Sequence, residues 1–406
     1  MEFKLSDLCI GGKGSYGIGA SAVPYDPNKY TYLRITDINE DGSLNFADLK
    51  SVDDEDSYKY LLQENDIVFA RTGNSTGKTY FYQKEHGCFV YAGFLIKFSL
   101  DATKVNPRIL KYYTHSKEYF DWVHSFDTGG TRGNINAKTF GDMVIDLPER
   151  SVQDRIVAIL SSLDAKIENN NKINANLEAQ AQALFKSWFV DFEPFQNGEF
   201  VDSELGRIPK GWSINKLKEV CLNITDGVHN TVKDDINGSY YLLSAKNIKG
   251  GLLEISKNDR KINKETFEKL RRRTKLEKGD ILLTSVGTIG ELFILKSAPT
   301  YYEFQRSVAI IKPNKEIVCS SYIYENLKTR LNDVKNLAHG AVQQCIFIGD
   351  LKDFKLIVAP NCLIQKYEGI VGHLFEKIER INSETLRLAE LRDTLLPKLM
   401  SGEIEV

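Results

Sequence analysis

No stretch of the chain approaches 18 consecutive apolar residues, so no membrane-spanning helix is expected. No C-x-x-C pair occurs, and the six cysteines (Cys9, Cys88, Cys221, Cys319, Cys345, Cys362) lie at least 17 residues apart. Neither a zinc ribbon nor a disulfide framework fits that spacing. The six histidines show no metal-binding spacing, and none lies within four residues of another. There is no Pro-Pro, which an Asn/Asp-Pro-Pro-aromatic methyltransferase segment requires. The opening Met1-Glu2-Phe3-Lys4 lacks a signal-peptide pattern. A reduced, cytoplasmic protein with no bound cofactor or metal is the expectation.

Two glycine-rich runs imitate nucleotide sites. Gly12-Lys13-Gly14-Ser15-Tyr16-Gly17 satisfies G-x-G-x-x-G, and Asp37 lies 20 residues after Gly17. A dinucleotide site needs a helix to follow, whose first amides hold the pyrophosphate. Pro24 and Asp26-Pro27 follow instead. Gly73-Asn74-Ser75-Thr76-Gly77-Lys78-Thr79 has three residues between its glycines where a phosphate loop has four. Its later counterpart, Gly287-Thr288-Ile289-Gly290-Glu291, carries an acid in place of the lysine. A tight turn after a strand accounts for both. Asp226-Gly227-Val228-His229 is an isolated acid–histidine pair, of a kind that serves a turn or a ligand contact. No catalytic constellation is legible.

What the chain does contain is a repeat with a period near 212 residues. Leu5-Ser6-Asp7-Leu8-Cys9 returns as Leu217-Lys218-Glu219-Val220-Cys221, and Tyr32 to Ile38 as Tyr241 to Ile248. Asn65-Asp66-Ile67-Val68 matches Gly279-Asp280-Ile281-Leu282, Gly129 to Ile135 matches Gly340 to Ile346, and Asp146-Leu147-Pro148 matches Val358-Ala359-Pro360. Each copy opens with short β-rich runs, such as Ile67-Val68-Phe69-Ala70 and Ile281-Leu282-Leu283-Thr284, with helical stretches at 108–123 and 320–334. Each ends in a long helical pattern. Ser151 is expected to cap the first, whose seam runs through Ile156, Leu160, Leu163, Ile167, Asn170, Asn174, Leu177, Ala181, Leu184 and Trp188. The second runs through Ile364, Tyr367, Val371, Leu374, Ile378, Ile381, Thr385, Leu388, Arg392 and Leu395, with Pro397 and Gly402 as its stop.

The fold expected is therefore α/β (α+β): two similar mixed units and two long helices pairing as an antiparallel coiled coil. The boundaries read as 1–150, first unit; 151–192, first helix; 193–212, linker; 213–360, second unit; 361–406, second helix and tail. The net charge of −2 hides an excess of nine positive charges over residues 206–360, where 26 Lys and Arg face 17 Asp and Glu. Such a balance suits an anionic partner as well as a solvated surface.

Two such units, each with a heptad helix, resemble the specificity (S) subunit of type I restriction–modification systems. So do Ile208-Pro209-Lys210-Gly211-Trp212, Asp226-Gly227-Val228-His229, Lys278-Gly279-Asp280-Ile281-Leu282 and Leu395-Leu396-Pro397-Lys398-Leu399-Met400-Ser401-Gly402-Glu403. The first unit lacks the Pro-x-Gly-Trp entry that precedes the second. The resemblance spans essentially the whole chain. It implies a non-catalytic protein whose units are target recognition domains, each reading one half of a bipartite, asymmetric site in double-stranded DNA. It implies helices that set the half-site spacing and dock two methyltransferase subunits, and it allows two restriction (motor-endonuclease) subunits. S-adenosylmethionine and ATP would bind those partners.

Candidate DNA contacts are polar side chains on turns. Arg71, Asn74, Ser75 and Lys78 flank the first glycine turn; Thr131, Arg132 and Asn134 lie in the 129–133 loop or beside it; Gln343 and Gln344 hold the matching place in the second unit. His229, Asn230 and Lys246 are further candidates. Arg and Asn/Gln suit bidentate reading of guanine and adenine, while Arg271, Arg272, Arg273 and Lys275 suit phosphates. A stand-alone nucleotide or DNA enzyme and a coiled-coil scaffold without DNA remain the other readings of the residues.

Overall fold

A computed structural model describes residues 1–46, 48–127, 133–229, 231–340 and 344–406. The chain divides into two compact units, Met1–Asn169 with Glu384–Val406, and Asn170–Ser383. Among the described residues no helix is long and apolar enough to cross a membrane.

In the first unit an antiparallel sheet runs Ser15–Tyr16, Leu95–Ser99, Asp66–Ala70, Thr79–Phe81. Asp66–Ala70 is buried along its whole length, as a central strand covered on both faces should be. A second sheet runs Ala22–Pro24, Lys50–Val52, Thr31–Leu33, Phe89–Tyr91, the last two parallel. The second unit repeats the first arrangement in full and three strands of the second. Its main sheet runs Cys221–Asp226, Val308–Pro313, Ile281–Thr284, Leu292–Ile294. Its other sheet runs Lys261–Ile262, Tyr240–Leu243, Tyr302–Phe304, again ending in a parallel pair.

The duplication extends to single backbone bonds. The Leu5 amide donates to Met143 and the Leu217 amide to Phe354. The Gly17 amide donates to Leu95 and the Gly227 amide to Val308. These two glycines meet the neighbouring strand so closely that a Cβ would stand 2.2 Å from the Ala92 carbonyl oxygen in one unit and 2.1 Å from that of Phe304 in the other. Only glycine permits that approach.

The long helices are α1, Arg150–Phe189, and α2, Asn361–Met400, each 40 residues and so about 60 Å long. Within each unit a half of one runs antiparallel to a half of the other. In the first unit Asp164 meets Arg392 and Lys166 meets Glu384; in the second Asn174 meets Asn382, and Phe185 and Phe189 pack on Tyr367. Ile156, Leu160, Leu396 and Leu399 join the first core, and Ala181, Phe185, Ile364, Tyr367 and Val371 the second.

Three local expectations are corrected. Ser151 is not the cap: helix α1 already includes Arg150, and the amides of Val152 and Gln153 donate to the Glu149 carbonyl. Pro397 does not stop α2, which continues to Met400. A proline in a helix interior costs ~3 kcal/mol, and burial of Leu396 and Leu399 offsets it. Gly402, at φ +73°, marks the actual end. The helical stretches at 108–123 and 320–334 are each broken in two, giving Pro107–Tyr113 with Lys117–His124, and Ser320–Thr329 with Leu331–Lys335. Ser116 caps the second piece of the first pair by accepting from the Tyr119 amide.

Candidate nucleic-acid interface

In the first unit the buried strand Asp66–Ala70 delivers Arg71 to the surface, and a 3-10 turn, Gly73–Ser75, follows. Gly73 takes φ +68° and its counterpart Gly287 φ +81°, so both turns use a backbone that glycine adopts without strain. The element that follows Gly17 is the strand Ala22–Pro24, so the G-x-G-x-x-G run does not lead into a helix whose first amides could hold a pyrophosphate.

The Arg71 guanidinium lies 5.3 Å from the Tyr16 ring centre and 5.9 Å from that of Phe94. Its Nη1 donates to Asn134 Oδ1 at 3.4 Å. Both rings are exposed, and the Tyr16 oxygen accepts from the Ala137 amide. Asn74 is exposed and Ser75 half-buried on the same turn. Lys78 is turned elsewhere, 3.0 Å from Glu40 and donating to the Ile38 carbonyl.

The second unit builds a different surface on the same frame. The Arg71 amide donates to Phe94, and the Ile135 amide donates to the Arg71 carbonyl. In the second unit Ser285 donates to Ser307 and accepts from Ile346. Ser285 thus holds the place of Arg71, Ser307 that of Phe94, and Asp226, before Gly227, that of Tyr16. With small side chains there, a hollow of about 490 Å³ opens, lined by Asp226, His229, Ser285, Arg306, Phe347 and Lys352 among others. His229 Nε2 lies 2.6 Å from one Asp226 oxygen and Arg273 Nη2 lies 3.2 Å from the other.

The remaining candidates divide by how their charge is balanced. Lys246 sits 2.7 Å from buried Asp259. Burial alone would raise the Asp259 carboxyl, but Lys246, the Ser256 amide and Asn247 bring it below its ordinary value. Arg271 pairs with buried Glu303 and donates to the Tyr302 carbonyl; burial holds the Glu303 carboxyl above its ordinary value even so. Arg272, Lys275 and Gln344 are exposed. Thr131, Arg132, Asn230 and Gln343 lie outside the described residues. The sequence reading missed Tyr16, Phe94 and Arg306. An exposed aromatic in or beside a strand looks like a core aromatic until the sheet assigns its face.

A duplicated mixed α/β module on long helices, with unlike side chains at one matching surface position, defines a two-unit internally repeated protein. The model of the type I restriction modification DNA specificity domain matches residues 1–179 and again 209–384. The chain belongs to that family. It is 30% identical over 303 residues to the MjaIX specificity subunit of Methanocaldococcus jannaschii, covering 73% of this chain and 69% of that protein. It is 23% identical over 414 residues to the HindI specificity subunit of Haemophilus influenzae, covering 85% and 88%. The crystal structure of the S subunit from M. genitalium shares the fold, with a TM-score of 0.52 at 17% identity over 98% of this chain and 96% of that one. The chain's role is recognition of DNA sequence in a type I restriction–modification system.

Proposed function

We propose that each unit is a target recognition domain reading one half of a bipartite, asymmetric site in double-stranded DNA. The observation that carries this reading is the shared backbone frame with unlike side chains at the reading position: Tyr16, Arg71 and Phe94 in one unit, Asp226, Ser285 and Ser307 in the other. Two heads of one fold and different chemistry suit two half-sites of different sequence. The exposed Arg272 and Lys275 suit phosphates, which hold the register without reading it.

The helices serve as the spacer and as the docking platform for two modification subunits. At about 60 Å each they exceed the ~34 Å of one duplex turn that separates half-sites on one face of DNA. The chain itself is non-catalytic; methylation, and cleavage where a restriction subunit is present, belong to its cytoplasmic partners. Mapping methylated adenines across the genome with and without the gene tests the reading. Loss of one split, asymmetric motif is expected. A pattern that survives deletion, in cells where the modification subunits are made, refutes it. Exchange of residues 213–360 should then alter one half of the motif only.

A further inference from the structure

We propose that Arg71 is the guanine-reading residue of the first unit, its guanidinium aimed at O6 and N7 by the rings of Tyr16 and Phe94. This rests on the half-site reading above and adds which side chain reads and which base it selects.

Three observations converge on it. The first is charge balance. Lys78, Lys246, Arg271 and Arg273 each lie within 4 Å of a carboxylate, whereas Arg71 has no acidic partner among the described residues. Its Nη2 has no acceptor among those residues, whereas its Nε is buried away from any external partner. A cation with unfilled donors at a protein surface is poised for an external acceptor.

The second is preorganisation. The two rings hold the guanidinium from 5.3 and 5.9 Å, Tyr16 is tied to the Ala137 amide at 3.1 Å, and Asn134 takes one N–H. An arginine so held loses little side-chain freedom on binding, which is what a reading contact needs and a flexible phosphate contact does not. The third is the contrast between units, since the same backbone bonds carry Ser285 in the second unit. Variation at one place on a constant frame marks a position that discriminates.

Guanine follows from the donor count. A guanidinium presents only donors. Guanine alone offers two acceptors side by side in the major groove; adenine and cytosine place an amino group there, and thymine pairs one acceptor with a methyl.

The test uses the chain assembled with its modification subunits and duplexes carrying its own site. Each guanine is replaced in turn by 7-deazaguanine, which lacks the N7 acceptor. One guanine in one half-site is expected to weaken wild-type binding roughly tenfold or more when replaced. The R71A complex should bind the parent site more weakly and be indifferent to that replacement, and methylation mapping in R71A cells should show that single position relaxed. Wild-type indifference to every replacement overturns the assignment, and this arm does not depend on a variant folding. An R71A complex that loses affinity evenly and stays sensitive to the replacement overturns it too, as the mark of a phosphate contact. Failure of the half-site reading looks different: the wild-type complex then binds its own site and unrelated duplexes alike.

Discussion

The side-chain amide of Asn174 donates to Oδ1 of Asn382 at 2.6 Å, between the two long helices inside the second unit. Asn174 is only 8% exposed, and its own Oδ1 finds no partner. A buried polar pair in a helix seam sets register at some cost in stability. N382A leaves the Asn174 amide buried without an acceptor and should cost about 1–3 kcal/mol in urea unfolding. Replacing both by leucine should recover that loss or exceed it, while loosening the pairing of the helices. If N382A unfolds within about 0.5 kcal/mol of wild type, the pair is not contributing.

The two close-approach glycines should be intolerant in parallel. G17A and G227A each force a Cβ within 2.2 Å of a backbone carbonyl oxygen, so each should cost about 3 kcal/mol or more. Gly19, two residues on, has nothing within 4 Å of its would-be Cβ. G19A should therefore be close to neutral. Thermal unfolding of the three variants checks this, and equal effects at residues 17 and 19 would contradict the packing described.

Burial pushes the Glu325 carboxyl up to about 7, with Lys328 opposing and Glu178 adding to the rise. Its Oε2 has no hydrogen-bond partner. A carboxyl raised in the folded state is held protonated there, so its contribution is complete below the unfolded value near 4.5 and is lost as pH rises toward 7. The loss should be on the order of 3 kcal/mol. E325Q keeps the shape without the charge, so it should flatten the stability profile between those pH values and stabilise the protein at pH 8. Unfolding midpoints measured across that range decide it; an unchanged slope would show that Glu325 stays charged.

Much of the architecture was readable because it is written twice. A run such as Ile67-Val68-Phe69-Ala70 is ambiguous alone, but its repeat as Ile281-Leu282-Leu283-Thr284 shows which positions the fold constrains. Helix ends were less legible. Ser151 and Pro397 carry strong local signals, yet the Glu149 carbonyl takes the first amides and the burial of Leu396 and Leu399 carries α2 past its proline. Tertiary packing outweighs a local preference of a few kcal/mol.

The site was legible by region and not by residue. The glycine turn, the Asp226–His229 pair and the basic stretch around Arg271 were all visible, but the sequence could not tell which charges were already balanced. Glu303 lies 32 residues from Arg271, and Asp226 lies 47 from Arg273. Only folding brings those acids up to the bases.

By itself, then, the order of residues determined the duplication, the mixed α/β character of each unit, the long helices and the family. These depend on periodicity and composition, which a linear chain displays directly. The tertiary structure alone decided that Tyr16 and Phe94 flank Arg71, and that Asp226, Ser285 and Ser307 take the same places in the second unit. Those residues come from strands and turns far apart in the chain, and what joins them is sheet register, which is a property of the paired backbones and not of any one segment.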